Sequence, residues 1–320
     1  MTGPPRRARV RAFAKLNLGL KVLGRRPDGY HELRTVLQTI DLADTLEFDF
    51  TPARSATINL TSVPEIRDNL VARAAGLVLD ATRSSGRLAI RLTKRIPMGA
   101  GLGGGSSDAA AVLLALPVLI GKRLPAAELL RLAASLGSDV PFFLLGGTVV
   151  GLGRGEELYP LPDAAPFHGV LVAPGIHVST AQAYAALGRE LTLLPPPDIL
   201  SVFQSCAWAS GLGTRSRAWP APVENDFEEA VFRQHPRLRL IKRKLKQMGA
   251  EPALLTGSGS ALFGVFGSHV QSKGALRLFD EEQVFTIASV SRARYRASWW
   301  RNLRAHIDER AWPPQSRYSR

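Results

Sequence analysis

Apolar residues recur at every second position near the start of the chain, between residues 10 and 22. The apolar series consists of Val10, Ala12, Ala14, Leu16, Leu18, Leu20 and Val22, and the polar residues between them include Arg11, Lys15, Asn17 and Lys21. A period of two over this length predicts a β-strand that buries one face. Because alternate residues of a strand share a face, we expect Lys15 and Asn17 to lie next to each other on its polar side.

The rest of the chain mixes strand and helix patterns. Strands are predicted at 31–41, 45–50, 88–93, 148–151, 168–173, 253–255 and 261–266. Helices are predicted at 109–116, 125–136 and 226–246, the last with a break at Pro236, and turns or loops at 24–29, 195–197 and 211–222. These elements show no regular strand–helix–strand alternation, which favours an α+β fold over a doubly wound sheet.

The length and composition indicate a globular protein of two lobes. At roughly 150 residues per domain, 320 residues fit two units. A second half begins near Phe167, so we predict an N-terminal lobe over 1–166, a C-terminal lobe over 167–286 and a basic C-terminal extension over 287–320. Hydrophobic residues make up 45% of the chain, which excludes a disordered protein. The single cysteine, Cys206, excludes an internal disulfide and a thiolate metal cluster, and we expect a cytoplasmic protein.

The net charge of +14 is concentrated in three basic segments, 1–34, 233–246 and 287–320. Such segments suit a polyanionic partner. Tyr295 and the pair Trp299–Trp300 beside arginines would suit stacking on nucleic acid, and a basic amphipathic tail would suit a membrane surface. The simpler interpretation is a set of solvated helix faces, with a peripheral helix and a loose end in the last segment. The uncharged stretches are shorter than the ~18 residues of a membrane span, and no signal-peptide core is found. We therefore expect no stable nucleic-acid partner and no membrane association.

The strongest chemical signal is the glycine-rich segment PMGAGLGGGSSDAA, residues 97–110. Its glycines leave backbone amides bare and allow the positive φ angles that a tight anion cradle requires. The segment leads into a predicted helix, whose first amides and dipole favour a bound phosphate. Ser106 and Ser107 add hydroxyl groups at the same point, so a nucleoside triphosphate is the expected ligand.

Other interpretations of this glycine-rich segment can be tested on its residues. A P-loop ends in Gly-Lys-Ser/Thr, and this segment contains no lysine. The dinucleotide pattern G-x-G-x-x-G fits Gly99, Gly101 and Gly104, but it requires a strand directly before it and an acidic residue about 20 positions later. Pro97 interrupts the strand that this pattern requires, and the required acidic residue is missing. A glycine-rich turn without a ligand is the remaining alternative.

Three segments together resemble the motifs of the GHMP kinase superfamily: AKLN at 14–17, the glycine-rich segment and LTGSGSALFGVF at 255–266. Within the superfamily, the chain resembles kinases that phosphorylate the 2-hydroxyl of 4-diphosphocytidyl-2-C-methyl-D-erythritol in the non-mevalonate isoprenoid pathway. That closer resemblance rests on GRRPDGYHEL at 24–33, LGSDVPFFLLGGTVVGLGRGEEL at 136–158 and NDFE at 225–228. It implies a two-lobe α+β fold, with ATP and this cytidine diphosphate sugar alcohol in the cleft between the lobes.

The resemblance also implies roles in catalysis and ATP binding. Lys15 and Asp139 would form the catalytic pair, and Asn17 would contact the substrate near the reacting hydroxyl. The turn at Ser258–Gly259 would buttress the phosphate-binding residues. Those residues would be Pro97, Met98, Gly99, Ala100, Gly101, Leu102, Gly103, Gly104, Gly105, Ser106 and Ser107.

The same resemblance implies a site for the cytosine ring. Tyr30 and His31 would hold the ring, and Tyr184 would cover its other face. An aromatic face with a neighbouring hydrogen-bonding group is what recognition of one nucleobase requires. The alternative for His31 is a surface histidine at the start of a strand. A relative with another acceptor, such as homoserine, mevalonate or a sugar, would have no use for a residue pair that reads a nucleobase.

The residue types at the predicted catalytic pair suit phosphoryl transfer, which requires positive charge and an acceptor for the hydroxyl proton. A lysine beside Asp139 would keep the carboxylate ionised. Asp139 follows a predicted helix and precedes Pro141, so we expect it in a turn, where the alternative is a loop acid that makes a turn hydrogen bond. ATP chemistry implies Mg²⁺, but no motif assigns its protein ligands.

Overall fold

A computed structural model of the chain describes residues 4–26, 29–163, 165–187 and 224–319. Cys206 and the predicted loops at 195–197 and 211–222 lie outside the described residues, as do two residues of the predicted turn at 24–29. The described residues form two β-sheets with helices packed against them. The predicted α+β class is therefore confirmed.

The first sheet has six strands around the long strand β2. They are β1 (Arg6–Arg25), β2 (His31–Pro52), β3 (Thr57–Val63), β4 (Gly86–Thr93), β5 (Thr148–Gly153) and β6 (Glu157–Pro160). The order is β3-β4-β2-β5-β6, and β1 pairs antiparallel with β2 over most of its length. The two strands predicted at 31–41 and 45–50 are one continuous strand, because β2 pairs with β5 near its start and with β4 near its end.

Strand β1 is buried on both sides in its middle, so the prediction of one buried face is wrong there. Phe13 contributes to the core formed with the N-terminal helices. Leu16 and Leu18, which point the other way, pack in a separate core with residues of the second sheet such as Phe263. Register shifts in the β1–β2 pairing fall on either side of Lys15 to Asn17. The polar face of β1 thus lies inside the molecule at the site described below.

Helices of the N-terminal half cover one face of this sheet. They are α1 (Leu70–Ala81), α2 (Gly104–Ile120), α3 (Ala126–Leu136) and α4 (Val140–Leu145). Helix α2 begins inside the glycine run, earlier than the predicted 109–116, with Gly103 in the left-handed conformation at its N-cap. All of its residues from Ser107 to Leu119 are buried, which is typical of a central helix enclosed on every side.

The second sheet has the order β10-β7-β9-β8, with all its pairs antiparallel. Its strands are β7 (His168–Ala173), β8 (Ala253–Leu255), β9 (Leu262–Phe266) and β10 (Gln283–Ala288). The helices of this half are α5 (Thr180–Ala186), α6 (Phe227–Gln234), α7 (Pro236–Gln247) and α8 (His269–Ala275), followed by a short 3-10 helix at Leu276–Leu278. The break predicted at Pro236 separates α6 from α7.

The C-terminal residues pack into the N-terminal half, so their interpretation as a peripheral helix and a loose end is wrong. Helix α9 (Arg292–Asn302) buries Tyr295 and Trp299 almost completely in the core around α2. Leu303 is buried with them, and the spacing of four residues between Tyr295, Trp299 and Leu303 is the helical pattern in the sequence. Burial of each such aromatic side chain stabilises the fold by roughly 1.5–3 kcal/mol. In the part of the chain that the structure describes, no helix has both the length and the apolar character needed to cross a membrane.

Candidate active site

The amine of Lys15 lies at the centre of a buried polar cluster on β1. Its Nζ donates to Oδ1 of Asn17 at 2.6 Å, and the backbone N–H of Lys15 donates to the carbonyl of Leu102 in the glycine-rich segment at 3.0 Å. Both residues, Lys15 and Asn17, are 4% exposed. The Asn17 amide in turn donates to Oγ1 of Thr35 on β2 at 2.8 Å. The alternation of β1 therefore brings Lys15 and Asn17 together and places them against the glycine-rich segment.

Asp139 lies in the turn between α3 and α4, as its sequence position predicted. Its Oδ2 is 3.6 Å from Lys15 Nζ, and its side chain is 38% exposed, whereas that of Lys15 is 5% exposed. The pair thus has one buried cationic member and one carboxylate that is open to solvent. A carboxylate in this position can accept a proton from a bound molecule while the lysine holds positive charge beside it.

The glycine-rich segment is held from behind by the loop between β8 and β9. The N–H of Ala261 donates to the carbonyl of Ala100 at 3.3 Å. A Cβ atom on Gly259 would lie 2.4 Å from the backbone nitrogen of Gly101, so the two loops touch through bare backbone. Asn225 fixes the second loop, because its side-chain amide donates to the carbonyls of Leu255 and Gly257, each at 2.8 Å. The turn predicted to buttress the phosphate-binding residues lies against them.

A cavity of about 380 Å³ opens along the glycine-rich segment. Apolar side chains of Ile66, Leu70 and Met98 line part of it, and Lys94 also contributes to the lining. The volume falls within the range of small-molecule sites. Ser106 and Gly105 line the cavity as well, whereas Ser107 is 2% exposed and points into the protein. Among the predicted phosphate-binding residues, Leu102 at 1% and Ser107 at 2% exposed are the least accessible.

The rings of His31 and Tyr184 stack on each other, with centroids 4.5 Å apart and an interplanar angle of 21°. Burial raises the pKa of Tyr184 to about 12, and the nearby Asp139 carboxylate adds to this. Burial also lowers the pKa of His31, with a further contribution from Arg25, so its neutral form is favoured. The Tyr184 hydroxyl thus lies close enough to the Asp139 carboxylate for the charge of Asp139 to act on it.

Tyr30 lies apart from this stack. Its side chain is 56% exposed, and the guanidinium carbon of Arg154 lies 4.6 Å from the centre of its ring. The structure therefore brings His31 and Tyr184 into contact and leaves the ring of Tyr30 at the surface under an arginine.

Comparisons with known proteins identify the family of the chain. The family model of the GHMP kinases N terminal domain matches residues 69–147, and that of the GHMP kinases C terminal domain matches residues 215–281. A curated 4-diphosphocytidyl-2-C-methyl-D-erythritol kinase from Solibacter usitatus is 57% identical over 98% of this chain and 98% of its own length. The chain belongs to the GHMP kinases. Within them it groups with the relatives that carry this kinase name.

More distant relatives of the kinase extend the comparison. A 4-diphosphocytidyl-2-C-methyl-D-erythritol kinase from Chlorobium phaeobacteroides is 40% identical, over 85% of this chain and 93% of its own length. The crystal structure of a 4-(cytidine 5'-diphospho)-2C-methyl-D-erythritol kinase matches with a TM-score of 0.73 at 38% identity, over 88% of this chain and 98% of the other. The crystal structure of a homoserine kinase from Cytophaga hutchinsonii shares the fold, with a TM-score of 0.60 at 19% identity. The match covers 89% of this chain and 95% of the other.

The kinase also contains a buried charged trio that the sequence did not point to. Lys94 donates to Asp44 and to Asp108, the latter at 2.6 Å, and all three side chains are at most 5% exposed. Asp44 also accepts the backbone N–H of Ile96 at 2.8 Å. A Cβ atom on Gly104 would lie 3.2 Å from Lys94 Nζ, so the trio supports the start of α2. The partners are up to 64 residues apart in sequence, between positions 44 and 108, and no local pattern connects them.

The trio makes stability depend on pH. Burial raises the pKa of Asp108 to about 8; the Lys94 ammonium opposes this rise and the neighbouring Asp44 carboxylate adds to it. An ordinary aspartate has a pKa near 4. Between about pH 4 and pH 8 the folded state thus keeps a proton that the unfolded state has lost, and stability falls as pH rises.

We expect Asp108→Asn, which cannot ionise, to make the fall in melting temperature between pH 5 and pH 8.5 shallower than in the wild type. Thermal unfolding measured across this range checks it. Lys94→Met is the comparison variant, and it should lower the melting temperature throughout, since it leaves two buried carboxyl groups without their cation. Parallel pH profiles for Asp108→Asn and the wild type would show that Asp108 is ionised in both states.

Proposed function

We propose that the chain transfers the γ-phosphoryl group of ATP to the 2-hydroxyl of 4-diphosphocytidyl-2-C-methyl-D-erythritol. The observation that carries the proposal is the Lys15–Asp139 pair, because the backbone of Lys15 is bonded to the glycine-rich segment and the carboxylate of Asp139 acts on Tyr184, which stacks on His31. A phosphate-binding loop, a proton acceptor and an aromatic surface then meet in one site. The 57% identity to a kinase of that name, over nearly the full length of both chains, supports the same substrate.

The phosphates of ATP would lie along the glycine-rich segment, at the N-terminus of α2. The φ angles of Gly99, Gly101 and Gly103 are +67°, +79° and +68°, in the left-handed region that glycine favours. Consecutive amides in such a conformation form a concave anion site, and the helix dipole adds positive potential. The adjoining 380 Å³ cavity offers apolar side chains for the nucleoside.

The reacting hydroxyl would lie beside Asp139, which accepts or orients its proton as the oxygen attacks phosphorus. Lys15 would stabilise the negative charge on the transferring group. Asn17 uses both ends of its amide within the protein, since Oδ1 accepts from Lys15 and Nδ2 donates to Thr35. These bonds fix the orientation of the Lys15 ammonium, which supports a positioning role beside the substrate contact predicted from the sequence.

The cytosine ring would bind at Tyr30 and His31. Tyr184 occupies one face of the His31 ring, so covering the base with Tyr184, as the sequence predicted, requires the two rings to part. Side-chain rotations of this size are common on binding. A neutral His31, favoured by its lowered pKa, keeps one ring nitrogen as an acceptor and one as a donor for the base edge.

Mg²⁺ is proposed to enter with ATP. The described residues contain no group of three or more His, Cys, Asp or Glu side chains that could enclose a metal ion. Mg²⁺ is commonly held by one or two carboxylates together with substrate phosphates. Asp139 and the hydroxyl of Ser106 are hard oxygen donors of that kind at the site. When bound, the ion would neutralise charge on the phosphates.

In the basic segment 233–246, basic side chains pair with acidic residues of the same chain. Arg237 pairs with Glu281 and Glu282, and Lys242 pairs with Glu228. We therefore propose a small-molecule kinase without a stable nucleic-acid partner, and a cytoplasmic location suited to a precursor pathway of small phosphorylated metabolites.

The function is tested by incubating the protein with ATP, Mg²⁺ and single acceptors. We expect ADP release and a phosphorylated product with 4-diphosphocytidyl-2-C-methyl-D-erythritol, and background release with homoserine, mevalonate or a sugar. Turnover with one of those three, and none with the cytidine compound, would contradict the proposal. Product mass and phosphorus NMR locate the new phosphate.

Substitution of Tyr30 tests the base site. A base stacked on an aromatic side chain gains about 1–3 kcal/mol, so Tyr30→Ala should raise the KM for the cytidine substrate by about 5- to 150-fold. The KM for ATP should stay within about twofold, since the glycine-rich segment is separate. Steady-state kinetics with each substrate varied in turn measures both values. Tyr159→Ala, on the edge strand β6 and 44% exposed, is the control. Equal losses for both substrates would assign Tyr30 a structural role.

A further inference from the structure

The residues that follow β10 bind the end of α4. We call residues 289–319 the C-terminal segment. The hydroxyl of Tyr295 donates to the carbonyl of Phe143, and Nε1 of Trp312 donates to the carbonyl of Leu144 at 3.0 Å. Nε of Arg292 donates to the carbonyl of Gly146 at 3.2 Å. The last carbonyls of a helix have no partner within the helix. Here side chains of one distant segment supply partners for two of them, and for the carbonyl of Gly146, which follows the helix.

These bonds are made by side chains that are themselves fixed. Arg292 also donates to the carbonyls of Leu161 and Thr148, at 2.9 and 2.6 Å, and its backbone N–H donates to Asp163. The ring of Tyr295 lies where a Cβ on Gly146 would be, at 2.4 Å. The C-terminal segment thus holds the end of α4 by both packing and hydrogen bonds.

The other end of α4 carries Asp139, which directly precedes its first residue. The helix has six residues, or about 9 Å at 1.5 Å per residue. Along it, Phe143 contacts the site: a Cβ on Gly103 would lie 2.9 Å from the Phe143 ring and 3.2 Å from Cγ of Lys15. A displacement at the far end of so short a helix is passed on to Asp139 and to its spacing from Lys15.

We infer that the C-terminal segment positions the catalytic carboxylate, with Tyr295 and Trp312 acting through α4 on Asp139. The inference rests on the proposed role of Asp139. Proton acceptance by a carboxylate depends on geometry, and a misplacement of about 1 Å can cost about 100-fold in rate. Tyr295 and Trp312, which belong to the residues that the sequence suggested as a loose basic tail, are then positioning residues for Asp139.

Tyr295→Phe tests the inference, because it keeps the ring and removes the hydroxyl that donates to Phe143. We expect kcat to fall about tenfold, as a partial displacement of Asp139 would produce. The KM for ATP should remain within twofold, since the glycine-rich segment keeps its own support. Hydrogen exchange should become faster in a peptide covering 138–146. Ser316→Ala is the matched control: it removes a hydroxyl that donates to the Val118 carbonyl at 2.7 Å, at the end of α2, and kcat should not change.

A second comparison separates positioning from general stability. If Tyr295 acts through Asp139, Tyr295→Phe should lower kcat in the wild type but hardly at all in an Asp139→Asn background. A full tenfold loss in that background would overturn the inference. A lower melting temperature with unchanged kcat at a temperature where the protein is folded, and unchanged exchange at 138–146, would also overturn it. Failure of the wild type to phosphorylate the cytidine substrate would count against the proposed function, and the exchange measurement would then decide whether the segment orders the Asp139 turn.

Discussion

Asp139→Asn is expected to lower kcat by about 10²- to 10⁴-fold, the range usual for loss of a general base. The amide keeps the shape of the side chain and can still accept one hydrogen bond, so the KM for the cytidine substrate should change little. Asp139 lies 3.6 Å from Lys15 and is open to solvent, so the substitution removes a charge without burying a new group. Turnover measured against pH checks the assignment. A variant that keeps more than about a tenth of wild-type kcat at neutral pH would show that Asp139 is not the base.

The partner substitution tests whether the two residues serve one step. Lys15→Met should also lower kcat, since it removes positive charge from the place where the transferring group is negative. The double variant should be about as slow as the slower single variant, because residues that act as a unit have non-additive effects. Lys15 is buried and bonded to Asn17, so circular dichroism must first show that the variant folds. Fully multiplicative losses would place the two residues in separate steps.

Gly101→Ala is expected to cause the second large effect, on both folding and ATP binding. Gly101 has a φ of +79°, and a Cβ there would lie 2.3 Å from the carbonyl oxygen of Thr256. The left-handed conformation costs a non-glycine residue about 1–2 kcal/mol, and forced displacement of the packed loop costs about 1–3 kcal/mol more. We expect the melting temperature to fall by about 4–10 °C and the KM for ATP to rise about tenfold or more, as the amides leave their places.

Gly105→Ala is the matched comparison for this loop. A Cβ at Gly105 would meet no atom closer than Leu70 Cδ1 at 3.8 Å, an ordinary contact. Its melting temperature should therefore equal or exceed that of the wild type, because alanine is the better helix former. Thermal unfolding of both variants, with and without ATP, measures the difference. Similar losses in both variants would show that the contact with Thr256 does not limit the position of the loop.

The sequence predicted several site residues because they are close along the chain or lie in a regular pattern. Lys15 and Asn17 are two residues apart on a strand, and period-two alternation places such residues on one face whatever surrounds them. The consecutive glycines at 103–105 indicated a bare backbone before a helix, and α2 begins there. The break at Pro236 followed from the missing N–H of proline. Each of these is decided by covalent geometry over a few residues.

Contacts between distant residues could not be predicted in this way. The trio of Lys94, Asp44 and Asp108 exists because β2, β4 and α2 meet, and none of these elements carries a pattern that specifies its neighbour. The stack of His31 on Tyr184 likewise joins β2 to α5. Only the tertiary structure decides which buried charged side chains pair with each other, since the stability of a buried ion pair depends on the packing that excludes water from it.

The sequence by itself thus determined the fold class and the family, and it predicted the residue types at the candidate site. The tertiary structure decided that the polar face of β1 is buried between two cores, and that the basic C-terminal residues pack on α4. Both differences from the prediction have the same cause. The alternation and the charge of a segment indicate which of its residues face water and which face a single packing partner. These patterns do not indicate a second packing partner from a distant part of the chain. In this protein the second sheet packs on β1, and Tyr295 and Trp299 pack in the core around α2.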